Sequence, residues 1–102
     1  MDRVINDELA YAILSIVEEV PAGKVVTYGQ LATMIGRPQN SRLAGTVLSR
    51  ASLYGDYPCH RVVNHSGRLA PGFEQQEELL RSEGVSFKEN GCVDLKKHQW
   101  RP

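Results

Sequence analysis

The sequence predicts a small α+β domain, a winged-helix-like helix-turn-helix with a short β-hairpin, and three observations support this fold class. A chain of 102 residues suits one modest core, so we expect residues 1–102 to form a single domain. The helical patterns are short and are separated by Pro and Gly turns. The pair Asn90-Gly91, between two β-favouring stretches, is the usual signal of a tight hairpin.

The first two helices are predicted from their ends and from their apolar residues. The first begins after Asn6, a good N-cap residue, and ends at the turn Pro21-Ala22-Gly23. Its inward face is predicted from the apolar residues at helical spacing, namely Leu9, Ile13, Ile16 and Val20. The second helix begins at a capping box formed by Thr27 and Gln30, and it ends at Gly36.

A third helix completes a pair that has the pattern of a helix-turn-helix. It is predicted to begin near Asn40 or Ser41, after the polar turn that follows Gly36. Its apolar side is made of Leu43, Ala44, Val47 and Leu48. In DNA-binding proteins the second helix of such a pair lies in the major groove, although many small domains contain a similar pair for packing alone.

The second half of the chain predicts a strand, a helix and the hairpin. Residues 61–63 are a short β-favouring run and form the strand. Residues 74–83 form a helix in which Leu79 and Leu80 face inward, and Gly84 ends it.

Formal net charge is zero, but the charges are unevenly distributed along the chain. Residues 1–23 carry a net charge of −4, residues 24–68 carry +5 and residues 69–102 carry −1. The basic middle coincides with the predicted helix-turn-helix and therefore favours a polyanion-facing surface. Chance segregation of charge is the alternative explanation.

The N-terminal residues lack the pattern of a signal peptide, and no apolar stretch approaches the ~20 residues of a membrane span. We therefore expect a cytoplasmic protein without a membrane partner, associated with the nucleoid in a bacterium or located in the nucleus of a eukaryote. In such a reducing compartment Cys59 and Cys92 are predicted to be free thiols. Because the Cys and His residues lack the spacing of a structural zinc site, no metal and no other cofactor is expected.

The stretch DYPCHRVVN places Cys59 next to His60 and leaves two interpretations open. A nearby base can lower the pKa of a thiol from its free value of about 8.5 and make the thiol a nucleophile. Neighbouring side chains in extended backbone point to opposite faces, however, so this pair needs a turn, a bridging water or a third residue. From these residues alone, a buried and inert cysteine is the stronger interpretation.

Four stretches occur in order along the chain: PAGKVVTYGQLATMIG, NSRLAGTVLSR, PCHRVVNHSGRL and EELLRSEGV. Together they resemble the DNA-binding, active-site domain of O6-alkylguanine-DNA alkyltransferases, over nearly the whole chain from about residue 8. The resemblance implies a DNA-repair protein that flips O6-alkylguanine out of the duplex. It further implies irreversible transfer of the alkyl group to a cysteine, the single-turnover reaction of a methylated-DNA-[protein]-cysteine S-methyltransferase.

The resemblance also implies roles for individual residues. Cys59 becomes the nucleophile, His60 is linked to it through water, and Glu83 binds His60 directly. Tyr28 lines the base pocket and stabilises the leaving guanine. The water link removes the geometric objection to the adjacent Cys59 and His60.

On the DNA side, the resemblance assigns Arg42 to the base stack, which it enters through the minor groove. Gly45 lets the recognition helix approach DNA closely. The residues predicted to bind DNA are Tyr28, Ser41, Arg42, Gly45 and Arg61.

Three features depart from full alkyltransferases and are similar to the small alkyltransferase-like proteins. The ribonuclease-H-like domain that precedes the motifs in full alkyltransferases has no counterpart in this sequence. The stretch ASLYGDY replaces an asparagine-proline hinge, and GRLAPGFEQQEELL is shorter than the usual pocket loop. Alkyltransferase-like proteins bind O6-alkylguanine without repairing it and hand it to nucleotide excision repair. Most of them have tryptophan or alanine where Cys59 stands.

Three functions therefore remain open. The leading hypothesis is a monomer that binds double-stranded DNA containing O6-alkylguanine and accepts the alkyl group at Cys59. The second is a non-enzymatic sensor that uses the same DNA contacts and channels the lesion to nucleotide excision repair proteins. The third is a helix-turn-helix transcription regulator that reads an operator sequence.

Overall fold

The computed structural model describes residues 7–102, which contain helices around a small sheet. The elements in chain order are α1 (Asp7–Glu19), β1 (Val26–Thr27), α2 (Tyr28–Met34), α3 (Ser41–Ser49), β2 (Val62–Val63), α4 (Gln76–Ser82) and α5 (Leu95–His98). Two short 3₁₀ turns, Ala51–Leu53 and Cys59–Arg61, lie between α3 and β2. This mixture of elements confirms the predicted α+β class. Within residues 7–102 no helix combines the length and apolar character needed to cross a bilayer.

Helix α1 buries only part of the predicted stripe. The residues of this helix that are fully buried are Ala10, Ile13, Leu14 and Val17. Ile13 and Val20 are buried as predicted, whereas Leu9 and Ile16 lie at the edge of the core and are only partly buried. Apolar side chains cover so much of this helix that its spacing alone is compatible with more than one inward face. The predicted cap Asn6 lies outside the described residues.

The helix-turn-helix has the predicted caps. The side-chain oxygen of Thr27 accepts the backbone N–H of Gln30 at 3.1 Å, and the side chain of Gln30 accepts the backbone N–H of Thr27 at 3.0 Å. Asn40 caps α3 by accepting the backbone N–H of Leu43 at 3.2 Å. Because α2 and α3 bury Leu31 and Leu43 in one core with α1, the exposed face of α3 is held in a fixed orientation.

A two-stranded parallel sheet joins the segment before α2 to the segment after the turn Cys59–Arg61. Val26 of β1 pairs with Val62 of β2, and Thr27 pairs with Val63. Strand β1 leads directly into Tyr28, and β2 directly follows the turn Cys59–Arg61. The pairing therefore brings the start of α2 close to the cysteine turn. The sequence predicted a strand at residues 61–63 but did not indicate its partner.

The last third of the chain differs in detail from the prediction. Helix α4 begins at Gln76, two residues later than predicted, and buries Leu80 while Leu79 stays 39% exposed. The predicted hairpin is present as a single antiparallel bridge, between Phe87 and Val93. Gly91 makes its turn with a φ of +86°. The ladder does not extend because the chain enters α5 two residues after Val93.

The C-terminal segment packs back onto the start of the helix-turn-helix, which no sequence pattern predicted. The backbone N–H of Val25 donates to the carbonyl of His98 at 2.9 Å, and that of Trp100 donates to the carbonyl of Val25 at 2.7 Å. The amide nitrogen of Gln30 donates to the carbonyl of Trp100 at 2.8 Å. This segment therefore supports the capping box that precedes α2.

Candidate nucleic-acid interface and active site

A cleft of about 470 Å³ opens between α2, α3 and the segment that precedes α4. We call it the Tyr28 cleft; its lining residues are Tyr28, Gly45, Leu48, Ser49, Cys59, Ala70, Pro71, Gly72 and Phe73. Two aromatic rings, a proline and short side chains dominate these walls. Small-molecule sites of about 300–1,000 Å³ have such linings, so the Tyr28 cleft has room for a nucleobase.

The exposed face of α3 leads into the Tyr28 cleft. A neighbouring depression is lined by Ser41, Arg42 and Thr46 and shares Gly45 and Tyr28 with the cleft. No atom lies within 4 Å of the position that a Cβ would take at Gly45, so this stretch of helix is bare. The structure thus brings together Tyr28, Ser41, Arg42 and Gly45, four of the five residues predicted to bind DNA.

The fifth residue, Arg61, has its guanidinium inside the protein. The Nε and Nη2 groups of Arg61 donate to the two carboxylate oxygens of Glu83 at 3.0 and 2.7 Å. Its Nη1 group donates to the carbonyl of Val20 at 2.8 Å, and the side chain is only 17% exposed. A guanidinium that is engaged on all sides is not available to a phosphate. The structure therefore corrects the assignment of Arg61 to the DNA-binding set and makes it a positioning residue.

Cys59 lies half-buried at the wall of the Tyr28 cleft, in the first position of a 3₁₀ turn. This turn removes the geometric objection of the sequence analysis, because the backbone at Cys59 and His60 is not an extended strand. Burial, and secondly the carboxylate of Asp56, raise the pKa of the Cys59 thiol. The group is therefore a protonated thiol at neutral pH in the free protein, and nucleophilic attack needs a base.

His60 and Glu83 form the candidate base behind the thiol. The Nε2–H of His60 donates to a carboxylate oxygen of Glu83 at 2.8 Å. The bonds from Arg61, and after them the bond from His60, lower the pKa of Glu83 from 4.5 to about 2, against the opposing effect of burial. An ionised Glu83 favours the His60 tautomer that carries its proton on Nε2. The lone pair is then on Nδ1, which makes no hydrogen bond to a protein atom of residues 7–102.

Gln76 is a residue of this site that the sequence analysis missed. Its side chain is fully buried, and its amide nitrogen donates to the carbonyls of His60 and Val62 at 3.1 and 2.9 Å. Its amide oxygen accepts the backbone N–H of Ala70 at 2.7 Å. One glutamine thus ties a wall of the Tyr28 cleft to the cysteine turn. A polar residue on the inward side of an amphipathic helix was the available signal.

Tyr28 offers a proton donor on the opposite wall of the cleft. It is the first residue of α2, so the capping box at Thr27 and Gln30 sets its position. Burial, and secondly the proximity of Cys59, raise the pKa of the Tyr28 phenol. The phenol therefore keeps its proton at neutral pH and can donate it to a bound base.

Taken together, the described site offers a thiol, an imidazole held by a carboxylate, and a phenol. Among residues 7–102, no three His, Cys, Asp or Glu side chains are grouped as metal ligands. The Cys59 and Cys92 thiols are both free, as predicted. Such a set of groups can deprotonate a sulfur, direct it at an electrophilic carbon and protonate the leaving group.

Comparisons with known proteins agree with this geometry. The family model for the DNA-binding domain of 6-O-methylguanine DNA methyltransferase matches residues 8–85. The DNA base-flipping protein of Escherichia coli (strain K12) is 35% identical, over 93% of this chain and 76% of that protein. A methylated-DNA–protein-cysteine methyltransferase of Methanosarcina acetivorans is 36% identical, over 76% of this chain and 51% of that protein.

A solved structure extends the likeness to the whole described fold. The crystal structure of Schizosaccharomyces pombe Atl1 in complex with damaged DNA containing O6-carboxymethylguanine superposes with a TM-score of 0.83 and 29% identity. The superposition covers 96% of this chain and 99% of Atl1. Family model, relatives and fold agree with one another, and the chain belongs to the 6-O-methylguanine DNA methyltransferase family.

Proposed function

We propose that the protein binds duplex DNA containing O6-alkylguanine, flips the damaged base into the Tyr28 cleft and transfers its alkyl group to Cys59. The observation that carries this proposal is the position of Cys59 at the wall of a base-sized cleft, between the exposed face of α3 and the His60–Glu83 pair. The relatives named as a base-flipping protein and as a methyltransferase support both steps.

In the binding step, the exposed face of α3 lies against the DNA, and bare Gly45 allows close approach of the two backbones. Flipping a base costs a few kcal/mol of stacking and pairing. Arg42, exposed in the first turn of α3, enters the stack in place of the base and offsets part of that cost. The Tyr28 cleft supplies aromatic contact to the flipped base.

In the transfer step, the Nδ1 atom of His60 accepts the thiol proton of Cys59 through a water molecule. The sulfur attacks the alkyl carbon, the C–S bond forms, and the bond between that carbon and O6 of guanine breaks. The bonding electrons stay on guanine, which takes a proton from Tyr28. The proton held by His60 then replaces the one that Tyr28 gave. Since a thioether is a poor leaving group, the protein reacts once.

A second candidate function is a sensor that binds the lesion without transfer and delivers it to nucleotide excision repair proteins. One observation favours it over alkyl transfer, and a second favours it over a regulator of transcription. Burial raises the pKa of Cys59, so the free protein contains little thiolate at neutral pH. The alkyltransferase-like protein Atl1 matches this chain over 99% of its own length.

Intact-protein mass spectrometry after incubation with a duplex containing O6-methylguanine tests transfer. We expect the mass to increase by one methylene, mapped to Cys59, with a rate that rises with pH as the thiolate fraction grows. Tight binding with unchanged mass contradicts transfer and leaves the sensor.

Comparison of lesion and plain duplexes of matched sequence tests the binding step separately. We expect tighter binding to the lesion duplex whatever the flanking sequence. Equal affinity for both duplexes, combined with a preference for one sequence, contradicts lesion recognition and supports a transcription regulator.

A further inference from the structure

Cys59 also lines a second cleft. This cleft has a volume of about 480 Å³, and we call it the Asp56 cleft; its lining residues are Asp56, Tyr57, Pro58, Cys59, His60, Phe73 and Leu79. Cys59 and Phe73 line both clefts. The two clefts therefore adjoin at Cys59, although only the Tyr28 cleft has residues of α3 in its lining.

The stereochemistry of alkyl transfer indicates a role for the Asp56 cleft. Attack by sulfur proceeds in line with the bond between the alkyl carbon and O6. The rest of a longer substituent therefore leaves that line sideways, next to the thiol. With guanine in the Tyr28 cleft, the other space that Cys59 lines is the Asp56 cleft. Its walls include Phe73 and Leu79, and the Leu79 side chain is 39% exposed.

The charges around the Asp56 cleft leave one carboxylate unmatched. His60 lines the cleft but is bonded to Glu83, whose charge is matched by Arg61. Asp56 is exposed, and its carboxylate makes no hydrogen bond or ion pair with the part of the chain that the structure describes. It is also the only acidic residue in positions 24–68. Its field reaches the thiol, since it contributes to the raised pKa of Cys59.

We propose that the Asp56 cleft is a subsite for the O6 substituent, and that it favours lesions whose substituent is an apolar chain ending in a positive charge. The apolar walls take the chain, and the Asp56 carboxylate faces its end. This inference rests on the proposed lesion binding and names a preferred class of lesion. It predicts the opposite preference, against substituents that end in a carboxylate.

Four duplexes of one sequence test the subsite, containing O6-methyl-, O6-pentyl-, O6-aminobutyl- or O6-carboxypropylguanine. Pentyl and aminobutyl groups have the same number of non-hydrogen atoms and differ by one charge. Equilibrium affinities are measured with the Cys59→Ala variant, which cannot accept an alkyl group. Asp56→Asn is added to it to remove the charge. Glu89→Gln is the matched control, because Glu89 is an exposed acid that lines neither cleft.

We expect aminobutyl to bind about two- to fivefold more tightly than pentyl, the range for an exposed ion pair, and carboxypropyl to bind more weakly than pentyl. With each affinity taken relative to that for the methyl lesion in the same variant, Asp56→Asn should abolish these differences and Glu89→Gln should preserve them. Equal affinities for pentyl and aminobutyl overturn the inference, as does a difference that survives Asp56→Asn. If every lesion binds only as tightly as plain duplex, the proposed function fails, and the inference with it.

Discussion

The two sides of Cys59 differ in how many of their polar groups are hydrogen-bonded within the protein. Behind the thiol, His60 and Arg61 bind Glu83, and Arg61 also binds the carbonyl of Val20. In front of it, neither the Tyr28 phenol nor the Cys59 thiol makes a side-chain hydrogen bond within residues 7–102. No fully buried polar side-chain atom of those residues lacks a partner, so the unused groups are confined to accessible surface. The side behind is built to hold geometry, and the side in front is left for a ligand.

Cys59→Ala removes the thiol itself and should have the largest effect. Transfer of the alkyl group should stop completely, because no other free thiol lines the Tyr28 cleft. Affinity for the lesion duplex should fall by no more than about tenfold, since one small apolar contact, worth roughly 1 kcal/mol, is all that is lost. Intact mass and equilibrium binding measure the two quantities. Residual methylation of Cys59→Ala would assign the reaction to another residue.

Glu83→Gln removes the carboxylate that binds His60 and Arg61 behind the thiol. The pKa of Glu83 is about 2 in the folded protein, against an ordinary value of 4.5, so the carboxylate stabilises the fold by on the order of 3 kcal/mol at neutral pH. We expect Glu83→Gln to lose about this free energy of unfolding. Transfer should slow about tenfold or more, because His60 loses the carboxylate that holds its tautomer.

The sign of the pH dependence follows from the lowered pKa of Glu83. Its contribution is present above pH 4.5 and is lost as pH falls towards about 2. Denaturant unfolding of the wild type between these limits should show that loss, and the Glu83→Gln variant should show a flatter acid limb. Glu77→Gln is the control, because Glu77 forms an exposed pair with Arg81 and should cost less than about 1 kcal/mol. Identical acid limbs in wild type and Glu83→Gln contradict the assignment.

Arg42→Ala tests whether the front side flips a base. Without the side chain that fills the stack, part of the flipping cost is no longer offset, and lesion affinity should fall about tenfold. Arg37→Ala removes an equal charge from the exposed turn before α3 and should weaken lesion and plain duplex alike. Fluorescence anisotropy with both duplexes measures the difference. Equal losses of affinity in the two variants would show that Arg42 only contacts a phosphate.

Gly45→Ala should produce the smallest effects, and these should be opposite in sign: higher stability of the fold and lower affinity for the lesion duplex. Glycine inside a helix is less favourable than alanine by roughly 1 kcal/mol, and the added methyl group meets no protein atom within 4 Å. The variant should therefore unfold at a slightly higher denaturant concentration. Its affinity for the lesion duplex should fall severalfold, because the methyl group stands in the path of the DNA. Higher stability with unchanged affinity would show that Gly45 is not at the interface.

The features that sequence reasoning predicted correctly are those with local signals. The capping box at Thr27 and Gln30 and the cap at Asn40 depend on residues three positions apart. Arg61 was assigned to DNA because its true partners, Glu83 and Val20, are distant in the chain. The role of Gln76 likewise depends on carbonyls that only the folded chain brings near it. The residues behind the thiol therefore needed a three-dimensional structure more than those in front of it.

The two-residue pairing of β1 with β2 has a consequence for the order in which the chain folds. Helices can form from nearby residues, whereas Val26 meets Val62 only after a long loop has closed. We therefore expect the reactive centre to form together with these non-local contacts, after the helices. A nascent or partly unfolded chain could contain a complete helix-turn-helix and still lack an assembled site around Cys59. Under the proposed single-turnover transfer, this coupling would keep unfinished molecules from being consumed.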